Sequence, residues 1–358
     1  MPGPTRAERN RRLADDFRIG KRPALARAIS MVEGRRPGVA DLLQKLLLAR
    51  PQARRFGITG PPGAGKSSLV AGVATLLRAR GEKVAIVAVD PTSPYSGGAL
   101  LGDRIRMNDL ATDPGIFIRS MATRGSLGGL AATTREVVDL LDAFGFPNVL
   151  VETVGVGQTE LEIASAADSV AVVLVPESGD GIQAMKAGLM EIADLFVVNK
   201  ADRIGADRMV REIQQALALR AGHGMQGVSG HHGVDLSRPD EADEEPGRAH
   251  APAWEIPVLK TSAGRGEGIE EFLDALLAHN RHLTESGALE DRRERRARSR
   301  LRDVVVGRLR GRAERFLASH PDLPVRIADI AAGRATTYGV ADELIPAILK
   351  GTEKSDQG

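Results

Sequence analysis

Between Arg54 and Ala263 seven short runs of β-branched and apolar residues recur, separated by segments with helical spacing. The runs are RRFGITG (54–60), KVAIVAVD (83–90), GIFIRS (115–120), NVLVETV (148–154), SVAVVLVP (169–176), LFVVNKAD (195–202) and IPVLKTSA (256–263). Their Val, Ile and Leu are nearly continuous rather than alternating with polar residues. Strands of that kind have no face for water, so they belong inside a parallel sheet covered by helices on both sides. Helical spacing fills the gaps at 67–80, 130–144, 183–192 and 206–220. Strand, helix, strand in repetition predicts an open, doubly wound, mostly parallel α/β sheet. Ligands on such sheets bind beyond the carboxyl ends of the strands. The motifs described below all follow strands.

The α/β part is expected to span residues 51–282. Residues 1–50 form an expected N-terminal helical extension, with an apolar pattern in ADLLQKLLL (40–48). Residues 283–358 form a second, C-terminal helical extension. Within it Leu301, Val305, Leu309, Ala313 and Phe316 make one apolar stripe on an Arg-rich helix. Such a stripe packs either on the chain's own core or on another subunit. Residues 222–252 are rich in Gly, Pro and acid with little to bury, and read as a flexible surface insertion. That insertion carries His223, His231, His232 and His250. Their irregular spacing, without cysteine, argues for an acidic loop over a metal site.

Composition narrows the classes further. The chain has no cysteine, which excludes disulfides, zinc-thiolate sites and thiol nucleophiles. No apolar run approaches the ~20 residues of a membrane helix. The Arg-containing N-terminus also holds Glu8, Asp15 and Asp16, unlike a secretory or transit leader. A cytoplasmic protein is expected, with no membrane role. Residues 1–55 hold 14 Lys/Arg against 5 Asp/Glu, and residues 285–320 hold 11 against 6. Aromatic residues are scarce and do not interleave with the basic ones. The surplus therefore reads as solvated helix faces, with no nucleic-acid partner.

The first chemical motif is GPPGAGKSS, formed by Gly60, Pro61, Pro62, Gly63, Ala64, Gly65, Lys66, Ser67 and Ser68. It matches G-x-x-x-x-G-K-[ST] between a strand and a helix. Its glycines let backbone N–H groups turn inward around phosphate, and the following helix points its positive end there. Lys66 is placed to reach the terminal phosphates and Ser67 to bind Mg²⁺. Motif and context together specify a P-loop NTPase. The second motif, NKAD, ends the sixth run with Asn199, Lys200 and Asp202. A carboxylate can accept from both the ring N–H and the exocyclic amine of guanine. Adenine offers an acceptor there and would leave the carboxylate unpaired. Asp202 is thus the expected specificity residue, with Asn199 and Lys200 buttressing the loop. Ser262 and Ala263 are placed to complete the base pocket. GTP or GDP with Mg²⁺ is the expected ligand.

A switch is expected around ETVGVGQ (152–158). Glu152 can hold a water of the magnesium shell or polarise the attacking one, and Gly155 can offer a backbone N–H to the γ-phosphate. Asp90 ends the second run as a further metal candidate. In the loop after it, Asp103 and Arg106 could close over metal and phosphates, Arg106 also offsetting transition-state charge. Lys66, Asp103, Arg106 and Glu152 are therefore the catalytic candidates. Metal candidates are Ser67, Asp90, Asp103 and Glu152. No positioned general base stands out, so slow turnover accelerated by a partner is expected.

GPPGAGKSS, VDPTSPYSGGALLGDRIRM, ETVGVGQTE, DGIQAMKAG and NKAD, in this order and spacing, resemble the MeaB/ArgK family of P-loop GTPases. ALARAIS (24–30) and TTYGVADEL (336–344) extend the likeness over nearly the whole chain. The resemblance implies a chaperone of an adenosylcobalamin-dependent acyl-CoA mutase of the methylmalonyl-CoA type. Such proteins use GTP to gate delivery of intact cofactor and to protect or reactivate the mutase. The resemblance also implies a homodimer joined through the C-terminal helices. It makes SGDGIQAMKAG (178–188) an additional switch toward the mutase, with Gln183 and Lys186 as its candidate residues. Two other readings stay open: a transport-associated kinase or ATPase acting on a periplasmic amino-acid-binding protein, and a nickel-type metallochaperone GTPase.

Overall fold

The computed structural model describes residues 5–47, 51–91, 108–123, 129–153, 163–176, 188–223 and 253–350. The described chain divides into two units, residues 1–292 and 293–358.

The first unit opens with three helices, α1 (Arg6–Arg18), α2 (Arg22–Glu33) and α3 (Val39–Leu46). Thr5 and Glu8 start α1 reciprocally. The Glu8 N–H donates to Thr5 Oγ1, and the Thr5 N–H donates to Glu8 Oε2, so two otherwise unmatched donors are satisfied. A proline in the first turn of α2 uses a position whose N–H has no helical partner.

The sheet follows as β1 (Arg54–Thr59), β2 (Val84–Pro91), β3 (Ile116–Thr123), β4 (Asn148–Thr153), β5 (Ser169–Leu174), β6 (Leu195–Val198) and β7 (Val258–Lys260). All seven apolar runs are strands. The order is β3-β2-β4-β1-β5-β6-β7, and every pair is parallel. The expectation of a mostly parallel sheet is met by one that is parallel throughout. Five longer helices of this unit are α4 (Lys66–Ala79), α5 (Gly129–Ala143), α6 (Ala206–His223), α7 (Ile269–Glu285) and the start of α8 (Ala288–Ser319).

Strand periodicity divides the core into two faces. Phe56, Ile58, Ala171 and Val173 pack with Leu69, Val73 and Leu77 of α4 and with Phe272 and Leu276 of α7. Val87, Val149 and Val151 pack with Leu25 and Ile29 of α2, Leu42 of α3 and Val138 and Leu141 of α5. Val172, Leu174, Phe196 and Val198 pack with Met209 and Ile213 of α6. Both faces of the central strands are therefore dry, as continuous apolar runs require. Each fully buried Leu, Ile or Phe contributes about 1.5–3 kcal/mol relative to exposure. The N-terminal helices belong to this unit because α2 and α3 cover part of the sheet.

The second unit contains most of α8, then α9 (Leu323–Ala331) and α10 (Thr337–Lys350). Arg326 pairs with Glu343, and Arg312 Nη2 donates to Leu349 O at 2.9 Å. Val340 and Leu344 are buried. Leu301, Val305 and Leu309 of the apolar stripe stay exposed, as do Val325, Ile327, Tyr338 and Leu349. Among the described residues no helix is long and apolar enough to cross a membrane.

Candidate nucleotide site

β1 lies between β4 and β5, so the loop leaving its carboxyl end emerges at the middle of the sheet. That loop is residues 60–65, and α4 begins at Lys66. Two of its glycines are required by close approaches. Gly60 has φ +135°, and a Cβ there would stand 2.1 Å from Val173 O. Gly65 has φ +85°, and a Cβ there would stand 2.3 Å from Asn199 Nδ2. A Cβ on Gly63 would meet nothing within 4 Å, so the cradle is open on that side. Lys66 is buried and bends over the loop, its Nζ donating to Gly60 O at 2.8 Å and Pro61 O at 2.9 Å. The ammonium thus sits among oxygen atoms at the mouth of the cradle.

Ser67 opens the first turn of α4, and Glu152 lies near the end of β4, beside β1. Their side chains meet: Ser67 Oγ donates to Glu152 Oε1 at 2.5 Å, with both residues buried. Thr59 and Thr153, at the ends of β1 and β4, pair through their hydroxyls at 2.8 Å. Asp90, near the end of β2, lies in register with Ala122 of β3 and just beyond the Val89–Thr153 pair. The backbone of β2 thus ends beside the Ser67–Glu152 pair; the Asp90 side chain lies outside the described residues.

The donor set suits a hard cation. A hydroxyl and a carboxylate oxygen within hydrogen-bond reach are the ligand types that Mg²⁺ takes, with phosphates and waters completing its shell. Among the described residues no group of three or more His, Cys, Asp or Glu side chains is gathered to hold a metal.

Asn199, just after β6, ties three segments together. Its Nδ2 donates to Ala64 O of the phosphate loop at 2.7 Å. Its Oδ1 accepts from Thr261 Oγ1 at 3.0 Å and from Ala263 N–H at 3.1 Å. Lys200 follows with a left-handed φ of +57°, and Arg203 N–H closes the turn on Lys200 O at 3.0 Å. Asp202 lies two residues after Lys200. Its Oδ1 accepts from Ser262 Oγ at 2.8 Å, and Arg265 Nη2 stands 3.4 Å from its Oδ2. The Ser262 hydrogen bond is the main cause that holds the Asp202 carboxyl below the usual value; burial opposes it, and Arg265 adds a smaller push in the same direction as Ser262. Asp202 is therefore a carboxylate at neutral pH.

The structure thus brings Lys66, Ser67 and Glu152 together, and separately groups Asn199, Asp202, Ser262 and Ala263, with Asn199 linking the two groups. Asp103, Arg106, Gly155, Gln183, Lys186 and the 224–252 part of the insertion lie outside the described residues. Thr261 and Arg265 were not singled out by sequence reasoning. Thr261 stands inside the run IPVLKTSA, so a polar residue at the end of an apolar strand was its available signal. Arg265 had none, because its proximity to Asp202 depends on how two loops meet.

The family model described as methylmalonyl-CoA mutase-associated GTPase MeaB matches residues 25–316. The GTPase ArgK of Escherichia coli is 39% identical over 297 residues, covering 82% of this chain and 81% of that protein. The mitochondrial methylmalonic aciduria type A homolog of Mus musculus is 31% identical over 345 residues, covering 92% of this chain and 77% of that protein. A crystal structure of a LAO/AO transport system kinase superposes with a TM-score of 0.63 at 26% identity, covering 97% of this chain and all of that one.

Proposed function

This chain belongs to the methylmalonyl-CoA mutase-associated GTPase family, and from that premise we propose that it is a GTP-hydrolysing chaperone of an adenosylcobalamin-dependent acyl-CoA mutase. GTP binding would gate cofactor delivery and protect or reactivate the mutase. The observation that carries the nucleotide assignment is the Asp202 carboxylate, charged and held by Ser262 beside the Asn199 tether. A carboxylate there pairs with two N–H groups of guanine and leaves adenine unmatched.

Within this reading the loop 60–65 wraps the phosphates with its backbone N–H groups, and α4 directs its positive end at them. Lys66 exchanges its contacts with Gly60 O and Pro61 O for phosphate oxygens, which accept more strongly because they are charged. Ser67 would hold Mg²⁺ and Glu152 a water of its shell, with Asp90 and Asp103 as further candidates. The metal, when bound, offsets phosphate charge. Glu152 then polarises or positions water, Arg106 offsets developing charge, and Gly155 reports the γ-phosphate. Gln183 and Lys186 are the proposed contacts that pass this state to the mutase. No residue at the described site acts as a strong general base toward water, so turnover is proposed to be slow alone and faster with the mutase.

We also propose a homodimer through the C-terminal helices. Its support is the apolar set left exposed there, Leu301, Val305 and Leu309 among them. As domains we propose 1–50, 51–282 and 283–358, with 222–252 a surface insertion. The cytoplasm is the proposed location.

The test has two arms. Binding is compared for GTP, GDP and ATP, and preference for ATP would favour instead a kinase of the kind named in the solved relative. GTP hydrolysis is then followed with and without candidate mutases. The expected result is acceleration by one of them; equal rates with every mutase would remove the chaperone assignment.

A further inference from the structure

The loop after β7 is built to hold a side chain still. Ser262 and Glu267 pair through their backbones in both directions, Ser262 N–H to Glu267 O at 3.0 Å and Glu267 N–H to Ser262 O at 3.2 Å. Between them Arg265 N–H donates to Ser262 O at 2.9 Å, which closes the turn. Gly268 completes it at φ +73°, where a Cβ would stand 2.4 Å from Lys260 O. One short, hydrogen-bonded turn therefore carries both Ser262 and Arg265. These two reach different oxygens of the same carboxylate: Ser262 Oγ reaches Asp202 Oδ1 at 2.8 Å, and Arg265 Nη2 reaches Oδ2 at 3.4 Å.

An ionised carboxylate has room for about four hydrogen bonds, two on each oxygen. Ser262 takes one position on Oδ1 through its hydrogen bond, and Arg265 faces Oδ2 as an ion pair at 3.4 Å, which leaves a position on each oxygen for the two N–H groups of guanine. With Ser262 alone, the carboxylate could swing about its last torsion, a soft one for aspartate. A hydrogen bond on one oxygen and a cation facing the other favour one orientation of its plane. The Arg265 side chain is mostly exposed, and an ion pair in such a place adds little to folding stability. The Arg265 contact thus suits recognition better than it suits folding stability.

We propose that Arg265 is a positioning residue for base specificity, which together with Ser262 sets the plane of the Asp202 carboxylate so that it meets both donors of guanine at once. This rests on the assignment of Asp202 to the base. The guanidinium also lowers the carboxyl in the same direction as Ser262, by less than burial raises it. Loss of Arg265 loosens the plane, and the pair of bonds suffers more than a single one would.

The probe is inosine diphosphate, which keeps the ring N–H of guanine and lacks the exocyclic amine. Affinities for GDP, inosine diphosphate and ADP are measured for the full-length protein, for R265A and for R265K. For R265A the ratio of GDP to inosine diphosphate affinity is expected to fall about fivefold, roughly the value of a partly lost bond to a charged group. R265K restores a cation and is expected to recover part of that ratio. An unchanged ratio in R265A, or an overall gain in GDP affinity, overturns the proposal. Failure of the underlying assignment looks different: the unaltered protein would itself fail to prefer GDP over ADP. A thermal melt of R265A separates these results from misfolding, and R265Q, which keeps the stem, serves if R265A is unstable.

Discussion

Asp202 and His279 show how single residues take their properties from neighbours distant in sequence. The Asp202 carboxyl is held below its usual value chiefly by the Ser262 hydrogen bond, with a lesser push from Arg265. Replacing Asp202 by Asn offers one donor in place of an acceptor, which mismatches guanine but suits xanthine, whose ring carries an oxygen at the amine position. D202N is expected to lose GTP affinity by about tenfold or more and to gain affinity for xanthosine triphosphate. Competition binding with the two nucleotides checks this. His279 sits at the opposite, amino-terminal end of the sheet, fully buried, with Nδ1 2.8 Å from Ser169 Oγ and Nε2 3.3 Å from Asp194 Oδ1. Asp194 is already engaged by the Val170 N–H at 2.9 Å and by Arg292, whose Nη2 is 2.9 Å from Oδ1. Trp254 lies against His279, its ring tilted 54° to the imidazole at 4.8 Å between centroids. Burial pushes the imidazole down to about 4, with Arg292 and His282 acting the same way and Asp194 and Asp168 opposing. The unfolded chain, with a histidine near 6.5, takes up its proton first as pH falls. His279 therefore favours the fold fully above about pH 6.5, and that contribution declines from there to about pH 4. The slope is about 1.4 kcal/mol per pH unit, roughly 3 kcal/mol across the window. Urea unfolding of the protein and of H279Q across this range checks it; matching pH profiles would contradict the assignment.

At the scale of elements, the phosphate loop depends on what lies beside it. Gly60 abuts Val173 of β5 and Gly65 abuts Asn199 after β6. G60A adds a Cβ against a backbone carbonyl, at a φ that L-residues rarely adopt. It is expected to cost more than about 2 kcal/mol and to abolish nucleotide binding. Differential scanning calorimetry and a fluorescent-nucleotide titration read the two effects. N199A should act differently: it removes three hydrogen bonds at a buried position, at a cost of about 1–3 kcal/mol, and weakens phosphate and base binding together. Loss of base discrimination alone, with phosphate binding intact, would show that Asn199 does not couple the two loops. The strands themselves were legible as sequence, because a strand dry on both faces must be continuously apolar. The three helices at the N-terminus were legible as helices, but not as a cover for the sheet. An amphipathic stripe shows that a face is buried without showing against what.

At the scale of the whole molecule, the two units differ in how they satisfy their apolar residues. The first buries three clusters around the sheet. The second buries Val340 and Leu344 and leaves Leu301, Val305, Leu309, Val325 and Ile327 exposed. Surfaces of that kind mark association sites. L309D, on the proposed dimer face, is expected to shift the protein to monomers in light scattering while leaving nucleotide binding within about twofold. A monomeric unaltered protein would remove the dimer proposal, and a dimeric L309D would move it to another face.

The parallel α/β class and the positions of the phosphate and base motifs are written in the order of residues alone. Those follow from periodicity and spacing within a few residues, where local sterics and burial decide. Which of those residues meet depends on the folded chain. Glu152 reaches Ser67 across 85 residues, and Asn199 reaches Ala64 across 135. Both contacts exist because β1 lies between β4 and β5, with β6 next beyond. Strand order is set by how helices cover the two faces, a competition among distant surfaces that no local pattern records. For the same reason Arg265, unremarkable in its own stretch of chain, becomes the second grip on the carboxylate proposed to read guanine.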